Sequence, residues 1–272
     1  MSDPVAAIAE LDATGETAVL FADIRAVYGV SVVNLVWRHL ATIPGALGHV
    51  WGGLRPLYVE GTIAREAAAF RAALTVPAVA VVPDFVVGAA GLDAAAMASV
   101  RQVMAAYDRT NAMALVALSA ARARLAGGDG TAWCPGGVAS EAGEALVLPP
   151  LVDLGAMAPA TAALVVALNR MGARSEAPVL ASMYRNLAHW PGFLAVAWGV
   201  LAPLHADGRL GGAIGDGLAL AGVRAAGLPL VAGVPALDPG LVPRVDAAIA
   251  LFTGDAIARM LVVTRVLRAA VG

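Results

Sequence analysis

Residues 34–58 read "NLVWRHLATIPGALGHVWGGLRPLY", and residues 181–205 read "ASMYRNLAHWPGFLAVAWGVLAPLH". At a constant offset of 147, 11 of the 25 positions are identical, among them Arg38/Arg185, Pro44/Pro191, Gly45/Gly192, Trp51/Trp198 and Pro56/Pro203. Self-similarity at one fixed offset is the mark of an internal duplication. Each copy reads as a helix, a Pro-Gly break and a second helix, because Pro has no amide hydrogen to continue a helix yet suits the first turn of the next. Trp51 and Leu54, like Trp198 and Leu201, are three apart and share one helical face. A longer helical pattern follows the first copy, from about Asp93, a good N-cap, to Gly127-Gly128. The stretch "DAAIALFTGDAIARMLVVTRVLRAA" takes that place in the second, with Met113 falling on Met260. The expected fold class is therefore all-α: two tandem homologous helical halves packed as a pseudo-dimer about a two-fold axis. The divisions are 1–126 for the first half, 127–150 for a Gly/Pro-rich connection and 151–272 for the second half.

Composition agrees with closely packed helices. The 272 residues are 60% hydrophobic but only 5% aromatic, and much of the apolar content is Ala and Val. The net charge of −2 comes without a basic or acidic block, so nucleic acid is not an expected partner. All 18 basic residues are Arg, which removes lysine Schiff-base chemistry. Cys134 is the single cysteine; no internal disulfide or redox pair can form. The beginning, "MSDPVAAIAELDATGE", carries acids where a secretory signal carries bases. The uncharged run 186–206 has the length of a membrane span, but it contains His189, Pro191, Pro203 and His205 and lacks flanking basic clusters. These readings predict a cytoplasmic protein with no membrane partner, and they allow a homodimer.

The polar differences between the copies point to function. After Gly172 the second copy inserts four residues relative to the first, bringing Arg174, Ser175 and Glu176 ahead of an apolar helix. Thr62 and Glu66, at i,i+4, face Arg209 and Ala213 in the other copy, and Asn111 faces Ala258. Polar groups that differ at matched positions suit a groove between two halves. The plainer alternatives are that Glu176 is an exposed acid favoured by a helix N-terminus, that Thr62 and Glu66 form a solvated face, and that Trp37 is core.

These stretches, together with "YDRTNAMALVALSAARARL", resemble the group I 2-haloacid dehalogenases over most of the chain, from about Asp23 to Arg268. The resemblance implies an all-helical pseudo-dimer with its active site between the halves. It implies hydrolysis of the carbon–halogen bond of 2-haloalkanoic acids, without metal or organic cofactor, by a carboxylate-activated water that inverts the carbon. The partners implied are a small 2-halocarboxylic acid and water. The family base, an Asp followed by Pro, corresponds to Glu176, followed here by Ala177. Ala173, Arg174 and Ser175 correspond to the run whose backbone amides hold the substrate carboxylate. Thr62 and Glu66 correspond to a Thr-x-x-x-Glu pair, and Asn111 to the first position of a central Asn-x-x-Asn, whose second position is Ala114. Asn34 and Trp37 correspond to pocket walls.

Because Glu replaces Asp and Ala114 replaces Asn, the departures fall on the chemistry rather than the scaffold. A second reading keeps the scaffold with a lost or altered activity, binding or hydrolysing another small 2-substituted carboxylic acid. A small helical peroxidase would need a redox cysteine pair, which one cysteine does not supply.

Overall fold

The computed structural model describes residues 5–125, 147–229 and 236–272. The 127–150 connection, with Cys134, lies outside the described residues except for 147–150. Among the described residues the structure is helical, without a β-sheet. A short 3-10 turn (Glu10–Asp12) precedes α1 (Gly15–Tyr28), α2 (Leu35–Leu40), α3 (Ala46–Val59), α4 (Thr62–Ala73), α5 (Asp84–Ala89) and the long α6 (Ala94–Leu125). A second 3-10 turn (Leu154–Ala156) then precedes α7 (Pro159–Arg170), α8 (Ser182–Leu187), α9 (Pro191–Ala206) and α10 (Arg209–Ala226). The last helical run comprises α11 (Val242–Leu251), a π-helical turn (Phe252–Ala256) and α12 (Ile257–Val271).

The sequence breaks fall where the physics puts them. Gly45 ends the α2–α3 connection at φ 72°, and Pro191 opens α9 within its first turn. Pro56 and Pro203 lie inside α3 and α9, and each helix ends three residues later. Asp93 serves as a side-chain cap, accepting the Ala96 amide at 2.8 Å. The apolar run that met the membrane criterion of length becomes the 16-residue α9. Among the described residues the continuous run Pro239–Val271 is apolar and long enough to cross a bilayer, and 78% of its most apolar window is buried inside the protein.

α6 and α12 form the centre. Their buried faces pack on each other, with α4 and α10 also against α6 and α10 also against α12. Contacts cross between the two series as well: α2 packs on α11, and α8 packs on α6. Buried charge fixes these packings. Asp108 on α6, almost fully buried, meets Arg268 at 2.9 Å, Arg71 at 3.3 Å and Arg265 at 3.5 Å, tying α6 to α4 and α12. Asp255 accepts from Arg259, one turn along the same run, and from the backbone amide of Arg174.

Arg259 is 0% exposed, and its guanidinium donates to the backbone carbonyls of Asn169 and Val179. Asn169 completes the knot by accepting the Ala181 amide at 3.0 Å. This network holds residues 173–181 in a non-helical path. Pro178 contributes too, since it lacks a donor and disfavours helix at the preceding residue. The expectation that Glu176 opens a helix is therefore not met; α8 begins six residues later, at Ser182.

Candidate functional site

A cavity of about 450 Å³ lies where residues of both series converge. One wall comes from the approach to α2 and its start, another from α6, a third from residues 179–185, and a fourth from the π turn and α12. The segments ahead of α1 and α7 border it, contributing Ala9, Glu10 and Leu11 on one side and Leu148 and Leu151 on the other. Each segment is fastened to a helix. Ile8 N–H donates to Arg38 O at 3.1 Å, and His39 Nδ1 lies 2.6 Å from Ala6 O. On the other side Val152 N–H donates to Arg185 O at 3.3 Å, and His189 Nε2 lies 2.8 Å from Pro150 O.

Most of the lining is aliphatic, and the polar exceptions carry the chemistry. Arg38 and Arg185, a matched pair of the repeat, both line the cavity and are both only 9% exposed. Arg185 donates from Nε to Val152 O and pairs with Asp153. Tyr107 donates its hydroxyl to Asn186 Oδ1 at 2.6 Å. Burial raises the Tyr107 hydroxyl pKa, against the opposing fields of Arg185 and Arg38. Tyr107 is thus a neutral donor rather than a base at neutral pH, and both guanidinium fields reach it. An aliphatic cavity with two guanidinium groups on its lining suits a ligand that has both a polar and an apolar part.

Asn111 is the most informative lining residue. It is 6% exposed, it faces the cavity, and its amide makes no hydrogen bond among the described residues. An amide that faces the cavity without a protein partner is open to an occupant, water or ligand. Asn34 also lines the cavity; it stands at the N-cap of α2, a position that suits Asn, yet its side chain makes no capping bond. Ser182, at the first position of α8, joins them on the lining.

The remaining expected site residues lie elsewhere. Glu176 is exposed and off the cavity lining, and so are Arg174 and Ser175; Ala173 is half-buried and also off it. The physical reason is the same knot. Arg259 and Asn169 hold residues 178–181 inward and Asp255 accepts the Arg174 amide, which leaves the side chains of 174–176 on a surface bend. Thr62 accepts from Arg65, and Glu66 lies 3.6 Å from Arg224 where α4 meets α10, away from the cavity. Trp37 is fully buried in an aromatic cluster with Tyr28 and Trp51 rather than on the pocket wall.

Of the carboxylates among the described residues, Glu10 alone lines the cavity. Its Oε1 accepts from Val33 N–H at 2.7 Å, and its Oε2 pairs with Arg25. No group of three or more His, Cys, Asp or Glu among the described residues is placed to hold a metal ion. Sequence reasoning passed over Arg38, Arg185, Tyr107 and Ser182. A usable signal was present: each arginine is a lone charge within an apolar helix, kept in both copies.

No protein-family model matches the chain, and no curated protein matches it. Solved structures do. A mutant D-2-haloacid dehalogenase aligns with a TM-score of 0.80 at 18% identity, covering 99% of this chain and 97% of its own. A D-2-haloacid dehalogenase mutant in complex with D-2-CPA aligns at 0.75 and 17% identity, covering 98% and 95%. A D-2-haloacid dehalogenase in complex with L-LA aligns at 0.77 and 17% identity, covering 99% and 97%. End-to-end agreement of this kind establishes that the chain has the all-helical fold of the D-2-haloacid dehalogenases.

Proposed function

We propose that the cavity takes up a 2-substituted carboxylic acid, and that the reaction served there is hydrolysis of a 2-haloalkanoic acid to a 2-hydroxy acid. The observation that carries the reading is the unpartnered Asn111 amide in an aliphatic cavity flanked by Arg38 and Arg185. The fold shared with proteins that act on such acids supports it. In the reaction a water oxygen bonds to C2 as the carbon–halogen bond breaks. Halide leaves with the bonding pair, and a carboxylate accepts the water proton. Asn111 orients the water or the acid, and the guanidinium fields favour the substrate carboxylate. The matched order of helices in the two series supports reading them as halves of one duplicated unit.

The base in this reading is Glu10 rather than Glu176, because Glu10 is the carboxylate on the lining. The reading carries no metal or organic cofactor, no nucleic-acid or membrane partner, and a cytoplasmic location; gel filtration tests for a homodimer. Halide release from both enantiomers of 2-chloropropionate and 2-bromopropionate is the direct test. Glu10→Gln should lower turnover by about two or more orders of magnitude, with folding checked by thermal unfolding, while Glu176→Gln leaves turnover unchanged. Loss of turnover in Glu176→Gln and not in Glu10→Gln would restore the base to the insertion.

A second reading has its own observation. Both Glu10 oxygens already accept hydrogen bonds, from Arg25 and Val33, so the carboxylate is engaged in tying the chain ahead of α1 to the start of α2. On that ground the scaffold binds, or transforms differently, another 2-substituted acid. Folded wild-type protein that releases no halide from either enantiomer, yet binds 2-hydroxy acids, would select it.

A further inference from the structure

A three-carbon acid would occupy only a small part of a cavity of about 450 Å³. Pockets of roughly 300–1,000 Å³ enclose ligands of drug size. The walls beyond Asn34, Asn111 and Ser182 are supplied largely by aliphatic side chains, such as Val33, Leu180, Ile257 and Met260. Water against those walls finds few hydrogen-bond partners on the protein, whereas a hydrocarbon chain would displace it favourably. The Asn111 amide offers a polar contact at one place, and the guanidinium groups of Arg38 and Arg185 on the lining favour a partner that is anionic. One anionic head and one apolar body describe a single class of molecule.

We infer that the cavity is built for medium-chain 2-substituted carboxylic acids, with about six to ten carbons filling its aliphatic walls. The inference rests on the reading of the cavity as a carboxylic-acid site. The chain length sets where binding energy comes from: each buried methylene strengthens binding about fourfold, until the cavity is full.

The test is calorimetric titration of the full chain with 2-hydroxy acids of three, four, six, eight and ten carbons, and with octane-1,2-diol. The expected result is a dissociation constant falling about three- to fourfold per methylene up to about eight carbons, with the diol at least tenfold weaker than the eight-carbon acid. Ala256→Phe, which fills one wall, should weaken the eight-carbon acid at least tenfold more than the three-carbon acid. Affinity that is flat or best at three carbons overturns the chain-length inference and leaves the acid site standing. Binding of the diol as tight as the acid, or no binding of any acid, overturns the acid site itself.

Discussion

Trp51 and Trp198 are identical residues at the offset of 147 in sequence, and the protein uses them in opposite ways. Trp51 is 1% exposed, donates to Asp23 at 2.7 Å, and packs against Trp37, Tyr28 and Tyr58. Trp198 is 42% exposed. The tryptophan has not changed; its neighbours have. Counting back from the shared glycines Gly29 and Gly172, Asp23 and Tyr28 give way to Val166 and Met171, while at the offset of 147 Arg55 and Tyr58 give way to Ala202 and His205. Gly45 and Gly192 tell the same story. Gly45 supplies a left-handed turn, whereas a Cβ at Gly192 would meet the Ala90 carbonyl oxygen at 1.9 Å. A residue kept in both copies preserves the helix around it, and its role is then set by what packs against it.

The sharpest break in this comparison is expected from the tryptophans. Trp51→Ala should cost about 3–5 kcal/mol, and Trp198→Ala no more than about 1 kcal/mol, measured by urea unfolding. Equal costs would mean that something covers Trp198 in solution.

A second matched pair, Asp108 and Asp255, differs in how its charge is shared. Asp108 has three arginines, whereas buried Asp255 has one arginine side chain, Arg259, itself fully buried. Arg259→Met should therefore cost about 3–5 kcal/mol, because it strands a buried carboxylate and two carbonyls. Arg268→Ala, at a partly exposed arginine with two others left to Asp108, should cost about 1 kcal/mol or less. The same unfolding measurement separates them.

The smallest effect sharpens the first contrast through pH. The hydrogen bond from Arg55 holds the Asp23 pKa below its ordinary value of 3.8, against the desolvation that raises it, and Trp51 adds to the lowering. Asp23 therefore contributes stability that is fully present above its unfolded value and is lost as pH falls through the lower folded value. The stability gap between wild type and Asp23→Asn, at most about 1 kcal/mol for so exposed a pair, should be constant above about pH 5 and close below 3.8. A pH-independent gap would mean that Asn fails for a steric reason.

The all-helical fold was legible because its signals are local. Pro44-Gly45, Pro191-Gly192, Asp93 and the repeated Trp spacing each act within one or two turns. Of the polar residues singled out in the sequence, those on the cavity lining sit on a helix whose face was already fixed, as for Asn111, or just ahead of one, as for Asn34. Glu176 opens no helix and lies off the lining because the path of its segment depends on a contact 80 residues away in sequence, Arg259 to Val179. Thr62 and Glu66 were correctly placed on a helix, α4, but the face they share turns towards α10 rather than the cavity. No spacing rule reports which neighbour a helix face meets.

The π turn at Phe252–Ala256 gives the molecule an evolutionary handle. Such a turn is an α-helix carrying one residue too many, and here it forms part of the cavity wall through Phe252 and Ala256. Deleting a single codon there would restore an ordinary helix with α12 still in phase, because the turn already absorbs the extra residue. A deletion farther along, in the regular helix, would swing everything after it by about 100° around the axis, carrying Met260 off the wall and Arg259 off its knot if it fell ahead of them. The turn is thus the one stretch of this wall that a lineage could shorten without also needing a new restraint for residues 173–181.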